Sequence, residues 1–328
     1  MKSHISIQLT MLALAMTSLP ALAQSKINSA EHINFPQLPG IWQPGQSRKT
    51  SKAPLDRAHD PLALGLATAK VYRFASADYP GAAVSMVFDR NTSTILGYTI
   101  VTDATGFTLV SGNYSLWLFP NSLDNNPYGI NTSGEIVGTY TDVTGATEGF
   151  LDAATDDLTI TEPLAAANTT VPYDINDSGE VVGYYQDTFG LIHGFYTSDY
   201  VNFASFDFPG ATSTWAYAVN TAGEIVGQWK DSSGVFHGFL LNGSSYNSFD
   251  FPLSASTTAS GINDSGEIAG TFQDAAGNQH GFIYSRNAYS QIDIAGAPTT
   301  DVIRIKNNGN IVGLYLDVTS SYHGFTGH

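Results

Sequence analysis

An aspartate and a histidine stand six residues apart at four places in this chain, and such a pair can do chemistry. A carboxylate that accepts a hydrogen bond from an imidazole fixes its tautomer, as in a general-base dyad, but the same bond can also tie two segments together. Four near-identical copies favour the structural role, because an enzyme seldom needs repeated dyads. We therefore predict that each aspartate bonds its histidine across a turn. The pairs are Asp187 and His193, Asp231 and His237, Asp274 and His280, and Asp317 and His323.

A fifth copy of this pattern has a carboxylate in place of the histidine, with Asp142 followed six residues later by Glu148. Two adjacent carboxylates repel each other, so we expect either a raised pKa or a bound divalent cation at this pair. The four histidines cannot share one zinc ion, since ligating nitrogens lie about 2.0–2.1 Å from zinc and equivalent atoms of different repeats are much further apart. The sequence therefore predicts no metal site, and this pair is kept as the one candidate.

Four charged residues break the repeat pattern near its predicted innermost strand. Just before the Ile or Val of that strand most repeats carry Gly or Ala, but the third carries Asp174 and the sixth carries Arg304. Lys306 replaces the usual Asn, and Asp301 lies nearby. In a ring of six, the third and sixth repeats face each other, so we predict an ion pair that plugs the central channel. A ligand-binding or catalytic site at these four residues is the alternative.

Trp215 is a further ligand-binding candidate, because it follows a Pro-Gly-Ala turn and an indole can stack on a sugar ring. Packing beneath the loop is the alternative. We expect the ligand-binding face at the end of the molecule that carries the turns between the second and third strands and the loops between repeats.

The turn Asn-Asp-Ser-Gly-Glu, at residues 176–180 and 263–267, could suggest calcium. Calcium takes about six to eight oxygen ligands, and this turn lacks the alternating aspartates that supply them. A hairpin turn in which the Asn or Asp side chain bonds the local backbone explains the sequence instead.

These residues sit in a repeat of about 44 residues. Its strongest marker is the Gly of Ile-Val-Gly or a close variant, which recurs at intervals of 41, 45, 44, 43 and 43 residues. Each unit contains four short alternating segments separated by Gly-containing turns, the size and pattern of one β-propeller blade. The six marker residues are Gly97, Gly138, Gly183, Gly227, Gly270 and Gly313.

The ends of the chain predict how the ring closes. The last unit stops after its third strand, whereas residues 72–82 match a fourth strand without the three that should precede it. The predicted fold is therefore an all-β, six-bladed β-propeller with four antiparallel strands per blade, closed by the N-terminal strand completing the last blade. Closure removes the exposed edges that invite aggregation.

Composition limits the possible partners. The 328 residues carry a formal net charge of −16, which speaks against nucleic acid and anionic membranes. The chain has no cysteine, so disulfides and thiolate chemistry are excluded. Residues 1–23 are expected to be a cleaved signal peptide, residues 24–65 a flexible Pro-rich leader and residues 66–328 the six-repeat propeller, with no membrane span and an extracellular or periplasmic location.

The repeat resembles the extracellular HAF-repeat family over about residues 71–328. This chain has Gly where the family name has Ala, and lacks the Trp that follows. The resemblance implies an exported repeat protein with a propeller fold, and it brings no catalytic residues. The motif stands at Ile130-Asn131, Ile175-Asn176, Val219-Asn220 and Gly261-Ile262-Asn263, and at His193-Gly194-Phe195, His237-Gly238-Phe239, His280-Gly281-Phe282 and His323-Gly324-Phe325.

The sequence as a whole predicts a secreted or periplasmic binding module without catalytic activity. Its expected partner is a glycan or a cell-surface protein, with a divalent cation as a further candidate and no cofactor. The alternative is a propeller enzyme, a hydrolase or lyase, acting on extracellular polysaccharide through carboxylates at the channel mouth. Convergence of Asp174, Asp301, Arg304 and Lys306 in one open pocket would distinguish the two.

Overall fold

The computed structural model describes residues 72–82, 84–100, 104–153 and 156–328. The expected signal peptide and leader lie outside these residues. Every regular element of the described residues is a β-strand, which confirms the all-β prediction. Within the same ranges no helix is both long and apolar enough to cross a bilayer.

Four sheets of four antiparallel strands follow one another along the chain, each with its strands in sequence order. The first sheet contains β2 (Val84–Arg90), β3 (Thr94–Ile100), β4 (Ala104–Val110) and β5 (Asn113–Trp117). The second contains β6 (Ser122–Ile130), β7 (Ile136–Asp142), β8 (Thr147–Asp152) and β9 (Asp157–Ile160). The third contains β10 (Val171–Ile175), β11 (Val181–Gln186), β12 (Ile192–Thr197) and β13 (Ala204–Phe206). The fourth contains β14 (Ser213–Val219), β15 (Ile225–Lys230), β16 (Phe236–Asn242) and β17 (Ser245–Phe249).

The remaining described strands form one eight-stranded sheet. Its first half contains β18 (Ser256–Ile262), β19 (Ile268–Gln273), β20 (Gln279–Ser285) and β21 (Ala288–Ile292). Its second half contains β22 (Thr299–Ile305), β23 (Ile311–Leu316), β24 (Tyr322–Gly327) and β1 (Phe74–Ser76). A single parallel bridge between Gln279 and Thr299 joins the halves, so the described strands make five sheets where six separate blades were predicted.

The innermost strands β2, β6, β10, β14, β18 and β22 contact one another in a closed circle, which gives a β-propeller arrangement of four-stranded antiparallel blades. The marker glycine of each second strand is needed for blade packing. A Cβ at Gly227 would overlap the carbonyl oxygen of Trp215 and the ring of Phe239. The Ile-Val-Gly repeat therefore reflects close packing of strands one, two and three.

Aromatic side chains fill the centre of the ring. A bulge in each innermost strand, between Pro172 and Asp174 in the third repeat, interrupts its register with the second strand. The residue within that bulge, Tyr173, is fully buried and stacks on Tyr128 at 4.9 Å, while Tyr217 lies 5.0 Å from it. The channel is therefore closed by a packed core at this level.

The N-terminal strand pairs with the C-terminal one. Phe74 lies opposite Gly327 and Ser76 opposite Phe325 in the antiparallel ladder of β1 and β24. Arg73 and His328 extend the ladder by exchanging two backbone hydrogen bonds of 2.9 and 3.2 Å. The prediction that the two ends of the chain pair is confirmed.

Candidate functional site

A cavity of about 240 Å³ lies where the innermost strands turn into the second strands. Every repeat contributes the end of its innermost strand and the start of the following turn. The cavity therefore sits on the axis of the ring. Its lining consists of residues 90–92, 130–132, 174–177, 219–221, 262–264 and 304–308.

Five of the six turns around this cavity are built on one asparagine. Asn176 Oδ1 accepts hydrogen bonds from the backbone N–H groups of Ser178 and Glu180, at 2.9 and 3.0 Å. Its Nδ2 donates to the carbonyl oxygen of Asn220 in the next repeat at 3.0 Å. The Asn-x-x-Gly-Glu motif thus closes its own turn and links neighbouring repeats. The same link runs from Asn91 to Asn131, from Asn131 to Asn176, from Asn220 to Asn263 and from Asn263 to Lys306.

An ion pair replaces this asparagine link where the last repeat meets the first. Lys306 stands at the asparagine position, and its Nζ lies 2.6 Å from Oδ1 of Asp89, which is 0% exposed. The other oxygen of Asp89 accepts the backbone N–H of Ile130 at 2.9 Å. The sequence argument missed Asp89, although it occupies in the first repeat the register position of Asp174 in the third.

Arg304 and Asp174 meet across the ring, as the sequence predicted, with Nε 3.7 Å from Oδ1. Both are buried, and Arg304 is only 2% exposed. Burial raises the pKa of Asp174, and the facing Arg304 lowers it in part. Arg304 Nε has no hydrogen-bond partner among the described residues. The guanidinium donates instead to three backbone carbonyls, those of Ser260, Tyr173 and Ile303.

Arg90 is the other cation of the cavity lining, and the sequence argument did not single it out. Arg90 is the last residue of β2 and lies opposite Ile95 of β3. The equivalent residues of the next two repeats are Ile130 and Ile175. Those isoleucines are buried, whereas Arg90 is half-buried. Within the described ranges its guanidinium makes no hydrogen bond or ion pair. A charged residue at a position that is apolar in the other repeats could have identified Arg90 from the sequence.

Carboxylates surround the same end of the molecule in the middle repeats. Asp177 accepts the backbone N–H of Thr132 at 2.9 Å, and Asp264 accepts that of Thr221 at 2.8 Å. A ring of glutamates lies further out, each bonded to the asparagine of its turn. The cavity is therefore basic where the first and sixth repeats meet and acidic elsewhere. The glutamates are Glu135, Glu180, Glu224 and Glu267.

Two of the predicted ligand-binding residues do not line the cavity. Asp301 is buried, its carboxylate bonds the side chain of Gln279, and burial raises its pKa to about 7. Trp215 lies within β14, packs 5.6 Å from the ring of Phe236 and belongs to the central apolar cluster. Asp174, Arg304 and Lys306 therefore meet at the cavity, whereas Asp301 does not.

The cavity opens at the end opposite to the expected binding face. The expected face carries the turns between second and third strands, and there the ring centre is covered by the cluster of buried aromatic and aliphatic side chains. Val84, Val171 and Trp215, near the starts of three innermost strands, pack against that cluster. The other end remains open because its strand ends carry charged and amide side chains, which do not form a packed apolar core.

Each predicted histidine lies between two aspartates, and among the four pairs the predicted hydrogen bond to the turn aspartate forms only at His323, with Nε2 3.3 Å from Asp317. His237 Nε2 lies 3.7 Å from Asp231, but its Nδ1 lies closer, 2.9 Å, to Asp250 in the segment after β17. The hydrogen bond that His237 donates to the Asp250 carboxylate is the main cause of its raised pKa, ahead of the opposing effect of burial. The equivalent partners, which the sequence argument missed, are Asp207 for His193, Asp293 for His280 and Asp78 for His323. The matching turn aspartates are Asp187, Asp274 and Asp317, at 3.4, 3.6 and 3.3 Å.

The pair of Asp142 and Glu148 does not behave as the sequence suggested. Asp142 accepts hydrogen bonds from the hydroxyl of Thr144 and the backbone of Ala146, at 2.6 and 2.9 Å. These bonds lower the pKa of Asp142, the direction opposite to the expected rise. No cluster of three or more metal-ligating side chains occurs in the described part of the chain.

No family model and no curated protein matches this chain. Solved structures similar to it include TolB from Acinetobacter baumannii, at 11% identity and TM-score 0.48, with 61% of this chain covered; the chain spans 52% of TolB's length. AofleA from Arthrobotrys oligospora is 10% identical over 77% of this chain and 85% of its own, with TM-score 0.48. The fucose-specific lectin from Aleuria aurantia is 12% identical over 78% of this chain and 91% of its own, with TM-score 0.46.

Proposed function

We propose that this chain is an exported binding module without catalytic activity, which recognises a glycan or another cell-surface component in the axial cavity. The observation that carries the proposal is the lining itself. All repeats contribute equivalent residues to one cavity, and four charged departures from the repeat, Arg90, Asp174, Arg304 and Lys306, all line it. Residues shared by every repeat maintain the scaffold, so a site belongs where repeats differ.

The proposed architecture is a six-bladed ring of the HAF-repeat type. The single bridge between Gln279 and Thr299 supports counting the eight-stranded sheet as two blades. The pairing of β1 with β24 supports closure by the N-terminal strand. The −16 charge supports a neutral or weakly charged partner over a polyanion. Cleavage after Ala23 would place the mature chain outside the cytoplasm.

The state of the buried carboxylates supports binding over catalysis. Asp89 and Asp174 each face a cation and each accept a backbone N–H, from Ile130 and Val219 respectively. A hydrolase or lyase needs a carboxylate that is free to take or give a proton to the substrate. Both of these groups are engaged in holding the ring together.

A glycan array probed with the mature chain tests the proposal. We expect binding to a restricted set of glycans and loss of that binding in Thr132→Trp, which places an indole over the cavity mouth. Thr188→Trp, exposed at the opposite end, is the matched control and should bind normally. Undiminished binding by Thr132→Trp would place the site elsewhere, and release of shorter glycans that Asp174→Asn abolishes would establish an enzyme.

A further inference from the structure

We infer that the axial cavity binds one acidic sugar unit, a hexuronate, with its carboxylate held by Arg90. This inference rests on the proposed function and names the ligand class. It starts from the unusual position of Arg90, which occupies a place that is apolar and buried in every other repeat. The equivalent residues are Ile130, Ile175, Val219, Ile262 and Ile305, none more than 7% exposed.

A structural role does not explain this arginine. The other two cations of the cavity are engaged, Arg304 with Asp174 and Lys306 with Asp89. The Arg90 guanidinium has no acceptor among the residues that the structure describes, although it lines the cavity. A guanidinium can bind a carboxylate through two parallel hydrogen bonds, and this geometry suits it better than a point charge.

A second observation points to the same place. The side chain of Arg304 is buried at the cavity, yet its Nε–H lacks a hydrogen-bond acceptor in the described ranges. A buried donor without an acceptor is costly, so the facing Asp174, 3.7 Å from this Nε, and the backbone carbonyls satisfy the Arg304 guanidinium only in part. The unpartnered guanidinium of Arg90, beside the partly satisfied guanidinium of Arg304 from the adjoining repeat, thus favours a ligand with acceptor oxygens.

The acidic wall opposite Arg90 determines which other chemical groups the ligand carries. Asp177 and Asp264 expose carboxylates at the rim, and carboxylates are acceptors for hydroxyl donors. The glutamates beyond them would repel a chain of many negative charges. A ligand with one carboxylate and several hydroxyl groups can pair with Arg90 on one wall and with the aspartates on the other. The cavity volume of about 240 Å³ is below the ~300 Å³ lower limit for drug-sized ligands, so the cavity has room for one sugar ring.

The experiment compares galacturonate with galactose, which differ only at the carboxylate carbon, by calorimetric titration of the mature chain. We expect galacturonate to bind at least about tenfold more tightly, the size of one charge-assisted hydrogen bond. Arg90→Gln should abolish this difference. Arg286→Gln is the matched control, because it removes the same charge from an exposed hairpin that does not line the cavity.

The possible results separate this inference from the proposed function. Equal affinity for the two sugars, or a preference for galacturonate that persists in Arg90→Gln, overturns the inference. The proposed function would still be supported if the chain binds sugar and Thr132→Trp blocks that binding. Tighter binding of free serine than of galacturonate would mean that a zwitterion, not a sugar acid, fits the two walls, and would also overturn it. No binding of any sugar or glycan contradicts glycan recognition and the inference together.

Discussion

At the scale of single residues, Asp301 shows how repeat packing can create a titrating group far from any ligand. Its carboxylate is buried between β22 and β20 and accepts a hydrogen bond from Gln279, but this bond does not offset the cost of burial. The pKa is therefore raised from 3.8 to about 7, chiefly by burial. Between these two values the folded chain binds a proton that the unfolded chain releases.

The sign of the effect follows from linkage. Because the folded pKa is the higher one, the stability that Asp301 contributes is complete below about pH 4 and is lost as the pH rises through about 7. In the unmodified chain, this effect makes the free energy of unfolding fall by up to about 1.4 kcal/mol per pH unit between about pH 4 and pH 7. Asp301→Asn, which mimics the protonated acid, should remove this contribution. Urea unfolding at several pH values measures it.

The control for this prediction is Asp156→Asn, at an exposed position. Its pH profile should follow that of the unmodified chain. An unchanged slope in Asp301→Asn would mean that Asp301 is ionised in the folded protein throughout this range, and that water reaches it.

At the scale of the elements, the histidines connect strands three and four to the turn between strands two and three. In the third, fourth and fifth repeats this joins segments close in sequence, as with His237, Asp231 and Asp250. In the last unit, His323 reaches Asp78, 245 residues earlier, and the backbone N–H of Gly324 bonds the same carboxylate. This clamp therefore holds the two ends of the chain together.

We predict that His323→Asn destabilises the protein more than His237→Asn, although both remove the same side chain. The loss at His237 should be about 1 kcal/mol, since the clamp is partly exposed. Burial lowers the pKa of His323, but its bonds to Asp78 and Asp317 outweigh this and raise it. The clamp is thus strongest below pH 6.5 and weakens as the pH rises through the higher folded value. Denaturant midpoints at pH 6 and pH 9 measure both effects.

Equal midpoints for the two variants at pH 6 would show that the clamp does not hold the chain ends. If the stability of the wild-type protein rose between pH 6 and pH 9 while that of His323→Asn did not change, the predicted weakening of the clamp at high pH would be wrong.

The sequence predicted those features that follow from the repeat pattern or from a clear break in it, and missed those that depend on how a linking segment or the divergent first repeat is placed. The marker glycines and the unpaired N-terminal strand were enough to predict the strands and their closure. Asp174 and Arg304 could be matched because they broke the pattern in facing repeats. Asp89 and Arg90 broke it too, but the first repeat is the most divergent. Asp250 was missed because its bond to His237 depends on where the chain leaves β17.

At the scale of the whole molecule, the two ends of the ring have different structures. At one end the asparagine-based turns leave an axial cavity with Arg90 and Lys306 where the last repeat meets the first. At the other, the aspartate-based turns surround a centre covered by the apolar cluster around Tyr173 and Tyr217. The junction of last and first repeats thus contributes both the closure of the ring and the basic side of the cavity, so closure and binding should fail together.

The last prediction tests this coupling by truncation. Deleting residues 24–65 should leave the fold and the sugar affinity intact, because the repeat strands start at Phe74. Deleting residues 24–82 removes β1 and Asp78, exposes the edge of β24 and leaves His323 with only Asp317. We expect a clearly lower thermal midpoint and aggregation through that edge, since unpaired edge strands recruit other chains. The exposed junction should also loosen the contact of Lys306 with Asp89 and weaken galacturonate binding. Equal thermal midpoints of the two truncations would contradict closure by the N-terminal strand, because the ring would then be stable without it.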